Sequence, residues 1–409
     1  MWGFAILAFV ALGAGVVLRV VRAFAGSRPF LPFPPGKSCA IAITDDTDVF
    51  QFETVDPVYE LLDELSLRVT KTVWAFDVDD YPPSKRGLSL DDVAYREWVL
   101  REARRGHEIA LHCAACRSSR RERTLAAHDR LESFMGRKAR VFIFHAGNRE
   151  AFYWGATRIP NRLLRVLYRR FRTWRFEGED EASPYHWVDA ARDHVTYVRG
   201  YCMNATDTLA LNPSMPYEDP LTPGAPLWFA CGNGRTGREF LTLLAPGKVA
   251  RLKSKRGVSI VATHLAVGYT ETTGRGETVL TDDVRRALVR LGRDPEIEFV
   301  PAGEVLDRLR VIQFLEDAIA RSERSVTVPE DLAPALDSIS VDPAHVPPGL
   351  RGGGAGRVTL TEWARSSGFE IQSGGAGVFD GARAISSRER WRLVVRWLAT
   401  QVVTPTSGK

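Results

Sequence analysis

Short apolar runs alternate with segments of helical period along most of the chain. The first run, at 39–44, is followed by an amphipathic segment at 57–65. Because this alternation repeats downstream, it predicts βα units and a parallel sheet of about seven strands. The predicted strands include 39–44, 67–76, 107–112, 139–145, 258–264 and 296–300. The predicted helices are 57–65, 89–105, one opened by the capping box Ser119-x-x-Glu122, 282–291 and 302–320.

Local signals mark the ends of these elements and the space between them. Ser89 is in position to cap the helix at 89–105, and Gly106 is in position to end it. Residues 148–234 are rich in aromatics, Pro and Asn, which predicts long loops that form the walls of a pocket. A single α/β barrel uses roughly 250 residues. One barrel with appended segments therefore suits the 409-residue chain.

The amino terminus is the clearest non-globular feature. Residues 2–18 carry no charge and Arg19 and Arg22 follow, so the stretch is just long enough to cross a membrane, which takes about 20 apolar residues. A signal peptide cleaved near Ala23-Phe24-Ala25 is the alternative, but its basic amino-terminal region is missing. We expect a single-pass transmembrane anchor at 1–25, with its basic flank and the following domain on the cytoplasmic side.

Composition divides the remaining chain into three parts. A proline-rich linker is predicted at 26–37, and the folded domain covers 38–320. The extension at 321–409 contains Pro- and Gly-rich stretches and then a helix-period segment at 388–403. That segment predicts a small helical cap or a partner-docking element.

Charge and cysteine content exclude two further classes. The chain has 55 Lys and Arg against 50 Asp and Glu, and the arginines are spread along it, so a nucleic-acid-binding role has little support. Five cysteines cannot all pair within one molecule, and they follow no even spacing. Structural disulfides are therefore not expected.

Several polar residues stand where an apolar run ends. Asp45 and Asp46 follow the first predicted strand, and His112, His145 and His264 each follow a later one. Because the carboxyl ends of the strands form the active-site face of a parallel barrel, these side chains are expected to converge. Carboxylate and imidazole ligands together suit Zn²⁺ or a similar divalent ion. The alternative for the two aspartates is an Asx turn or helix cap, and Asp48 is expected to be such a cap.

These segments resemble motifs of the polysaccharide deacetylase family, also called the NodB-homology domain or carbohydrate esterase family 4. Residues 41–47 resemble its first motif, 106–112 its second and 260–264 its last, and the resemblance covers roughly 38–320. It implies an α/β fold, an irregular (β/α)7-type barrel of the glycoside hydrolase and deacetylase kind. Further segments resemble an uncharacterised branch of the family: 44–48, 70–74, 145–148, 153–155, 183–185 and 215–217.

The resemblance also implies roles for individual residues. Asp45 corresponds to the family's catalytic base and His264 to its general acid, while Asp46 and His112 correspond to metal ligands. A second metal histidine normally follows four residues after the first, but Cys116 stands there, and the family's third motif is replaced by 145–148. Three outcomes stay open: His145 is the third ligand, Cys116 is that ligand as a thiolate, or no stable triad forms.

The implied function is a metal-dependent hydrolase, with zinc the expected metal, that removes an N-acyl (acetyl) group from an amino-sugar-containing glycan. Asn148, Tyr153, Trp154 and Tyr185 are candidates for substrate contact, although packing is the commoner role of aromatic side chains. The alternatives are a non-catalytic glycan-binding or interaction module on the same fold, and a hydrolase of another amide or ester. A thiol–disulfide role for the Cys-x-x-Cys at 113–116 is disfavoured, because the surrounding domain is much too large for a thioredoxin.

Overall fold

The computed structural model describes residues 28–79, 86–152, 176–346, 358–375 and 377–403, with the single positions 82, 163, 166, 167 and 170. The predicted anchor at 1–25 lies outside the described residues, and so do Tyr153 and Trp154. Within the described ranges, no helix has both the length and the apolar character needed to cross a bilayer. The anchor and its orientation stay predictions from sequence.

Strands and helices alternate through most of the described chain. The strands are β1 (Phe30–Leu31), β2 (Cys39–Asp45), β3 (Thr70–Val73), β4 (Glu108–Leu111), β5 (Val141–Phe142), β6 (Tyr197–Met203), β7 (Leu227–Asn233), β8 (Val258–Thr263), β9 (Thr270–Thr272), β10 (Thr278–Leu280), β11 (Ile297–Phe299), β12 (Ser325–Pro329), β13 (Ser340–Val341), β14 (Val358–Thr359) and β15 (Glu370–Gly374). The helices are α1 (Phe52–Glu64), α2 (Val93–Arg104), α3 (Arg121–Met135), α4 (Ala191–His194), α5 (Thr208–Leu211), α6 (Gly237–Leu243), α7 (Pro246–Ser254), α8 (Asp282–Gly292), α9 (Ala302–Ala320), α10 (Leu360–Ser367) and α11 (Ser387–Val403).

Seven parallel strands, β2 to β8 in chain order, close into a barrel. Each pairs with the next, and β8 returns to β2, with Ala40 opposite Val258 and Asp45 opposite Thr263. The short strand β11 pairs with the first half of β2 and adds an eighth strand to the sheet. Strands β2 and β8 are buried along their whole length, as expected of strands covered on both faces. The fold therefore agrees with the predicted seven-stranded α/β barrel.

The main difference from the prediction is in the middle of the chain. The region 148–234, predicted as loops, contributes two seven-residue strands, β6 and β7, to the barrel. Two helix starts also differ. Asp92, not Ser89, caps α2 through a bond from the Tyr95 amide, and α3 begins at Arg121 without a side-chain cap. The capping box at 119–122 does not form, because the Ser119 amide donates to the buried carboxylate of Glu150.

The carboxyl-terminal extension packs around the barrel. Strands β1, β13 and β14 form one small sheet, and β12 pairs with β15 in another. Their apolar side chains form a second core cluster with the later turns of α9. Helix α11, which the sequence predicted at 388–403, packs against β6 of the barrel. The terminal helix thus lies beside a barrel strand, near the carboxyl ends of the sheet.

Candidate active site

The predicted polar residues lie at the carboxyl ends of the barrel strands. Asp46 follows β2, His112 follows β4, His145 lies beyond β5, and His264 follows β8. All four line one cavity of about 390 Å³. The structure therefore brings together residues that are more than two hundred positions apart in sequence. The cavity is lined by Asp46, Asp48, His112, Phe144, His145, Ala146, Arg199, Gly200, Cys202, Asn233, Arg235, Ala262, His264, Trp397 and Gln401.

Asp48 is the centre of this group. Its Oδ2 lies 3.0 Å from Nε2 of His112 and 3.2 Å from Nε2 of His264, and its Oδ1 lies 3.0 Å from Nε2 of His145. Asp48 was expected to cap the following helix, but that helix starts after Gln51 without a side-chain cap. The helix-cap expectation for Asp48 is therefore wrong.

Close backbone packing holds the loop that carries Asp48. The Thr47 amide donates to Oγ1 of Thr72, and the Thr47 hydroxyl lies 2.9 Å from the Tyr95 hydroxyl. Gly87 packs against this loop with a φ of +85°, and a Cβ there would lie 2.7 Å from the Thr47 carbonyl oxygen and the Phe50 amide nitrogen. Only glycine allows that approach, so the loop is fixed before any ligand binds.

The three histidines share one orientation. Nδ1 of His112 donates to the Ile143 carbonyl and Nδ1 of His264 donates to the Arg235 carbonyl, both at 3.0 Å. Since a carbonyl oxygen can only accept, each Nδ1 carries a proton. In the neutral ring the lone pair is therefore on Nε2, the atom that points toward Asp48, whereas a bond from Nε2 to that carboxylate needs a second proton on the ring. An acceptor behind the outer nitrogen is the usual arrangement for metal-binding histidine.

His145 has the same arrangement through a side chain. Its Nδ1 lies 3.1 Å from Oδ1 of Asn148. The Asn148 Nδ2 donates to the Ala115 carbonyl and to Oε1 of Glu150, which fixes Oδ1 as the acceptor. Asn148 is only 3% exposed and does not line the cavity. Its contacts thus support His145 rather than reach the cavity, where substrate contact had been expected.

Asp46 forms a two-pronged ion pair with Arg199. Its Oδ1 and Oδ2 accept from the two terminal guanidinium nitrogens at 2.8 and 2.6 Å. Burial raises the pKa of the Asp46 carboxyl, but Arg199, His112 and His264 together lower it more and leave this pKa below its ordinary value. Asp46 is therefore an ionised carboxylate of fixed orientation at the cavity wall.

Asp45 points away from this cavity. Its Oδ2 accepts from the Lys71 ammonium at 2.8 Å and the Tyr59 hydroxyl at 3.0 Å, and its Oδ1 accepts from the Leu265 amide. Both Asp45 and Lys71 are 1% exposed. The successive side chains of β2 point to opposite faces, which explains why the two aspartates separate. Asp45 forms a buried ion pair on the side of the strand that faces helix α1, and it is not a free carboxylate at the barrel mouth.

The histidine charges respond to the carboxylates around them. Burial lowers the pKa of His264, but Asp48 and Asp46 raise it more, to about 9. Burial also lowers the pKa of His145, but the bond and charge of Asp48, with Asn148 and Asp46, together raise this pKa above its ordinary value. Burial raises the pKa of Asp48, but His112, His145 and His264 together hold this pKa well below its usual range.

Two other predicted residues lie away from the cavity lining. Cys116 is half-buried, and burial raises the pKa of its thiol. Tyr185 stacks beneath the Arg149 guanidinium, 4.2 Å from the ring centroid. Neither is among the lining residues, so the structure places His145, not Cys116, with His112.

The cavity residues that sequence reasoning did not assign to the site include Asp48, Arg199, Trp397 and Gln401. Arg199 lies on β6, a strand in the region predicted as loops. Trp397 and Gln401 come from α11, which was expected to be a cap or docking element. The repeat of acids in Asp45-Asp46-Thr47-Asp48 was the one available signal for Asp48, because alternate residues can share a face.

The donor set suits a divalent metal ion. Ligand atoms of Asp46, Asp48 and His264 lie within 4.8 Å of one another, and His112 and His145 also contact Asp48. One carboxylate with several neutral imidazoles is a common zinc ligand set. With an outward proton on Nδ1, the neutral rings of His112 and His145 carry the lone pair on the inward nitrogen, where it can bind a cation. The residues therefore fit the metal that the sequence resemblance implies.

No family model matches the chain, and no curated protein matches it. Solved structures do match. Puue allantoinase aligns over 69% of this chain and 94% of its own, with 11% identity and a TM-score of 0.42. A probable polysaccharide deacetylase from Pseudomonas aeruginosa PAO1 aligns over 66% of this chain and 90% of its own, with 10% identity and a TM-score of 0.38. Peptidoglycan deacetylase PdaC from Bacillus subtilis aligns over 71% of this chain and 96% of its own, with 13% identity and a TM-score of 0.32. The structural neighbours thus include polysaccharide and peptidoglycan deacetylases at low identity.

Proposed function

We propose that this protein is a metal-dependent hydrolase that removes an N-acyl group from an amino-sugar-containing glycan, with zinc the metal that its ligand types favour. One observation carries the proposal. Three imidazole Nε2 atoms converge on Asp48, and the ionised Asp46 lies in the same cavity. This combination supplies ligands for a metal together with a separate base and acid.

Asp48, His112 and His145 would hold the metal. Asp46 is less suited as a ligand, because its two-pronged pair with Arg199 would place the guanidinium charge beside the bound cation. A bound divalent ion would supply positive charge that polarises an acyl carbonyl and lowers the pKa of water. The ligand role predicted for Asp46 is thereby proposed for Asp48, two residues further along.

Asp46 would then accept the proton of the attacking water. Arg199 holds its carboxylate ionised and aimed at the cavity, which is what a general base requires. This role was expected of Asp45, but that carboxylate is engaged by Lys71, Tyr59 and the Leu265 amide. We propose that Asp45 instead stabilises the barrel end that carries the site.

His264 would donate a proton to the departing amine. Its Nδ1 is fixed by the Arg235 carbonyl, and its Nε2 faces Asp48 inside the cavity. In the metal-free site Asp48 and Asp46 raise the pKa of this ring to about 9, which favours its protonated form. A protonated acid at the wall and an ionised base beside the ligands are the two states that hydrolysis of an amide needs.

The first experiment measures metal content. Purified wild-type protein is expected to hold about one zinc per chain, and His112→Ala is expected to lose it, because that ligand is removed. His345→Ala is the matched control, since His345 is exposed and lies in the short 3₁₀ helix Pro343–His345. Equal metal content in wild type and His112→Ala would contradict the proposed ligand set.

The second experiment separates Asp45 from Asp46. Release of acetate from an N-acetylated chito-oligosaccharide is measured for wild type, Asp45→Asn and Asp46→Asn. Asp46→Asn is expected to keep metal but lose turnover by about 10²–10⁴-fold, the usual contribution of general base catalysis. Asp45→Asn is expected to lower stability instead. Sugar binding without acetate release in the wild type would favour the non-catalytic glycan-binding module.

A further inference from the structure

We propose that helix α11 forms a wall of the substrate site, where Trp397 and Gln401 select a single N-acylated sugar unit, free or at a chain end, over the interior of a polymer. This inference rests on the proposed function and adds the substrate class. Both residues line the cavity that contains Asp48 and the three histidines, although they come from the last turns of the described chain.

The first half of α11 is firmly anchored to the rest of the molecule. Arg390 is 3% exposed and forms a buried ion pair with Asp219, at 2.5 Å. Leu393 is also 3% exposed and belongs to the barrel core cluster. Arg396 donates to the Leu211 carbonyl at 2.7 Å. A helix held at three points over about two turns places Trp397, which directly follows Arg396, at a fixed position.

The second half of α11 contacts the strand that carries Arg199. The Trp397 ring lies 6.3 Å from the Tyr201 ring between centroids, and Gln401 Nε2 lies 3.5 Å from the Cys202 carbonyl. Within the described residues, side chains of α11 thus line the cavity on the side of β6. A polymer that continues past its reacting unit needs an open groove there, whereas a terminal unit does not.

The chemistry of this wall suits a neutral sugar. Asn204 Nδ2 donates to Gln401 Oε1, and Asn233 Nδ2 donates to Asn204 Oδ1, which gives a row of three amide side chains. Amide groups both donate and accept, as sugar hydroxyl and N-acyl groups require, and an indole face packs on the apolar face of a sugar ring.

Cavity size points the same way. Its volume of about 390 Å³ lies near the lower end of the roughly 300–1,000 Å³ range typical of small-molecule sites. A cavity of this size favours one sugar unit over several. The small volume of the cavity, the wall that α11 forms and the row of amide side chains thus all favour a single or terminal amino sugar as the substrate.

The test compares N-acetylglucosamine with its linear tetramer. Acetate release and product positions are measured for the metal-loaded wild type, Trp397→Ala and Gln401→Ala. The wild type is expected to deacetylate the monosaccharide and the end units of the tetramer. Trp397→Ala is expected to lose about tenfold in kcat/KM for the monosaccharide, about 1.4 kcal/mol. It is also expected to begin removing acetyl groups from internal units of the tetramer. Trp391→Ala, which changes an exposed tryptophan on the same helix, is the control and should leave both unchanged.

Binding is measured separately, so that failure of the proposed function can be recognised. Fluorescence titration of the Asp46→Asn protein with N-acetylglucosamine is expected to show saturable binding that Trp397→Ala weakens about tenfold. Sugar binding that depends on Trp397 without any acetate release supports the wall but contradicts the hydrolase. Internal deacetylation by the wild type, or binding unaffected by both α11 substitutions, overturns the wall. Gln401→Ala covers the case in which Trp397→Ala fails to fold.

Discussion

Strand β4 has a histidine at each end, and each belongs to a cluster with carboxylates. His112 follows the strand and contacts Asp48 in the cavity, while His107 precedes it and contacts Asp63 and Glu102. The ligand atoms of Asp63, Glu102 and His107 also lie within 4.8 Å of one another. By distance alone, both clusters could hold a metal ion.

The positions of the protons separate the two clusters. Nδ1 of His107 accepts a hydrogen bond from the Val69 amide at 3.1 Å. The proton of the neutral ring is therefore on Nε2, which faces Asp63 and Glu102 as a donor. The cavity histidines have the opposite arrangement, because their Nδ1 atoms donate outward. In their neutral forms, the cavity histidines carry the lone pair on the nitrogen that faces their carboxylates, whereas His107 carries a proton there.

Arginines add to this difference. Asp63 accepts from Arg105 at 2.7 Å and from Arg68 at 3.1 Å, and Glu102 accepts from Arg101 at 2.8 Å. The cluster at the amino end of the barrel is already compensated in charge, so a cation has little to gain there. Distances between ligand atoms must therefore be combined with the assignment of donors and acceptors before a metal site is proposed.

The largest expected effect is loss of metal from the cavity cluster. Asp48→Asn removes the carboxylate that contacts all three histidines, and zinc affinity is expected to fall by at least about 1,000-fold, or roughly 4 kcal/mol. Asp63→Asn, the matched change at the other cluster, is expected to leave zinc affinity unchanged. Competition with a zinc chelator measures both. Equal losses for the two variants would abolish the distinction drawn here.

The next effect concerns stability, and it is expected at the amino-end cluster. His107→Ala leaves the buried Val69 amide without its acceptor and removes the ring between Asp63 and Glu102. The free energy of unfolding is expected to fall by about 2–4 kcal/mol, since buried polar groups are left unpaired. Urea unfolding of the metal-free protein measures this change. An unchanged unfolding midpoint, with unaltered metal affinity, would show that the His107 network contributes no stability.

A smaller effect tests the outer acceptors of the cavity histidines. Asn148→Ala removes the acceptor behind His145, and zinc affinity is expected to fall by about 10–100-fold, the usual cost of such a change. Asn148→Asp keeps an acceptor oxygen at that place and should retain more of the affinity. If both variants bind zinc as tightly as the wild type, the proton position on His145 does not govern binding.

The sequence predicted the barrel and the three cavity histidines, because the strands and the residues that end them both leave a local signal. A buried strand is a continuous apolar run, and the polar residue that ends it is visible in sequence. Asp48 was assigned another role because it lies in a loop past the strand, held by contacts with Gly87 that have no local pattern.

The other missed residues depend on tertiary packing. Arg199 lies on a strand whose burial is interrupted at two positions, so its region resembled a loop. Trp397 and Gln401 reach the cavity only because Arg390 and Leu393 dock α11 on the barrel, almost two hundred residues after β6. Helical periodicity can predict that α11 exists, but it cannot predict where the helix packs.

The smallest effect is the pH dependence of stability at the amino-end cluster. Burial lowers the pKa of His107 to about 4, below the value of about 6.5 for an unfolded chain. A depressed pKa means that the unfolded chain takes up the proton first as pH falls. The stability contributed by the neutral ring is therefore fully present above pH 6.5 and is lost progressively toward pH 4, by about 2 kcal/mol at pH 5.

Urea unfolding of the metal-free wild type and of His107→Gln between pH 4 and 8 measures this loss of stability. The variant, whose amide cannot titrate, is expected to show a flatter pH dependence in that window. Parallel curves for the two proteins would mean that another group causes the loss, and the neutral, inward-donating ring assigned to His107 would have to be abandoned.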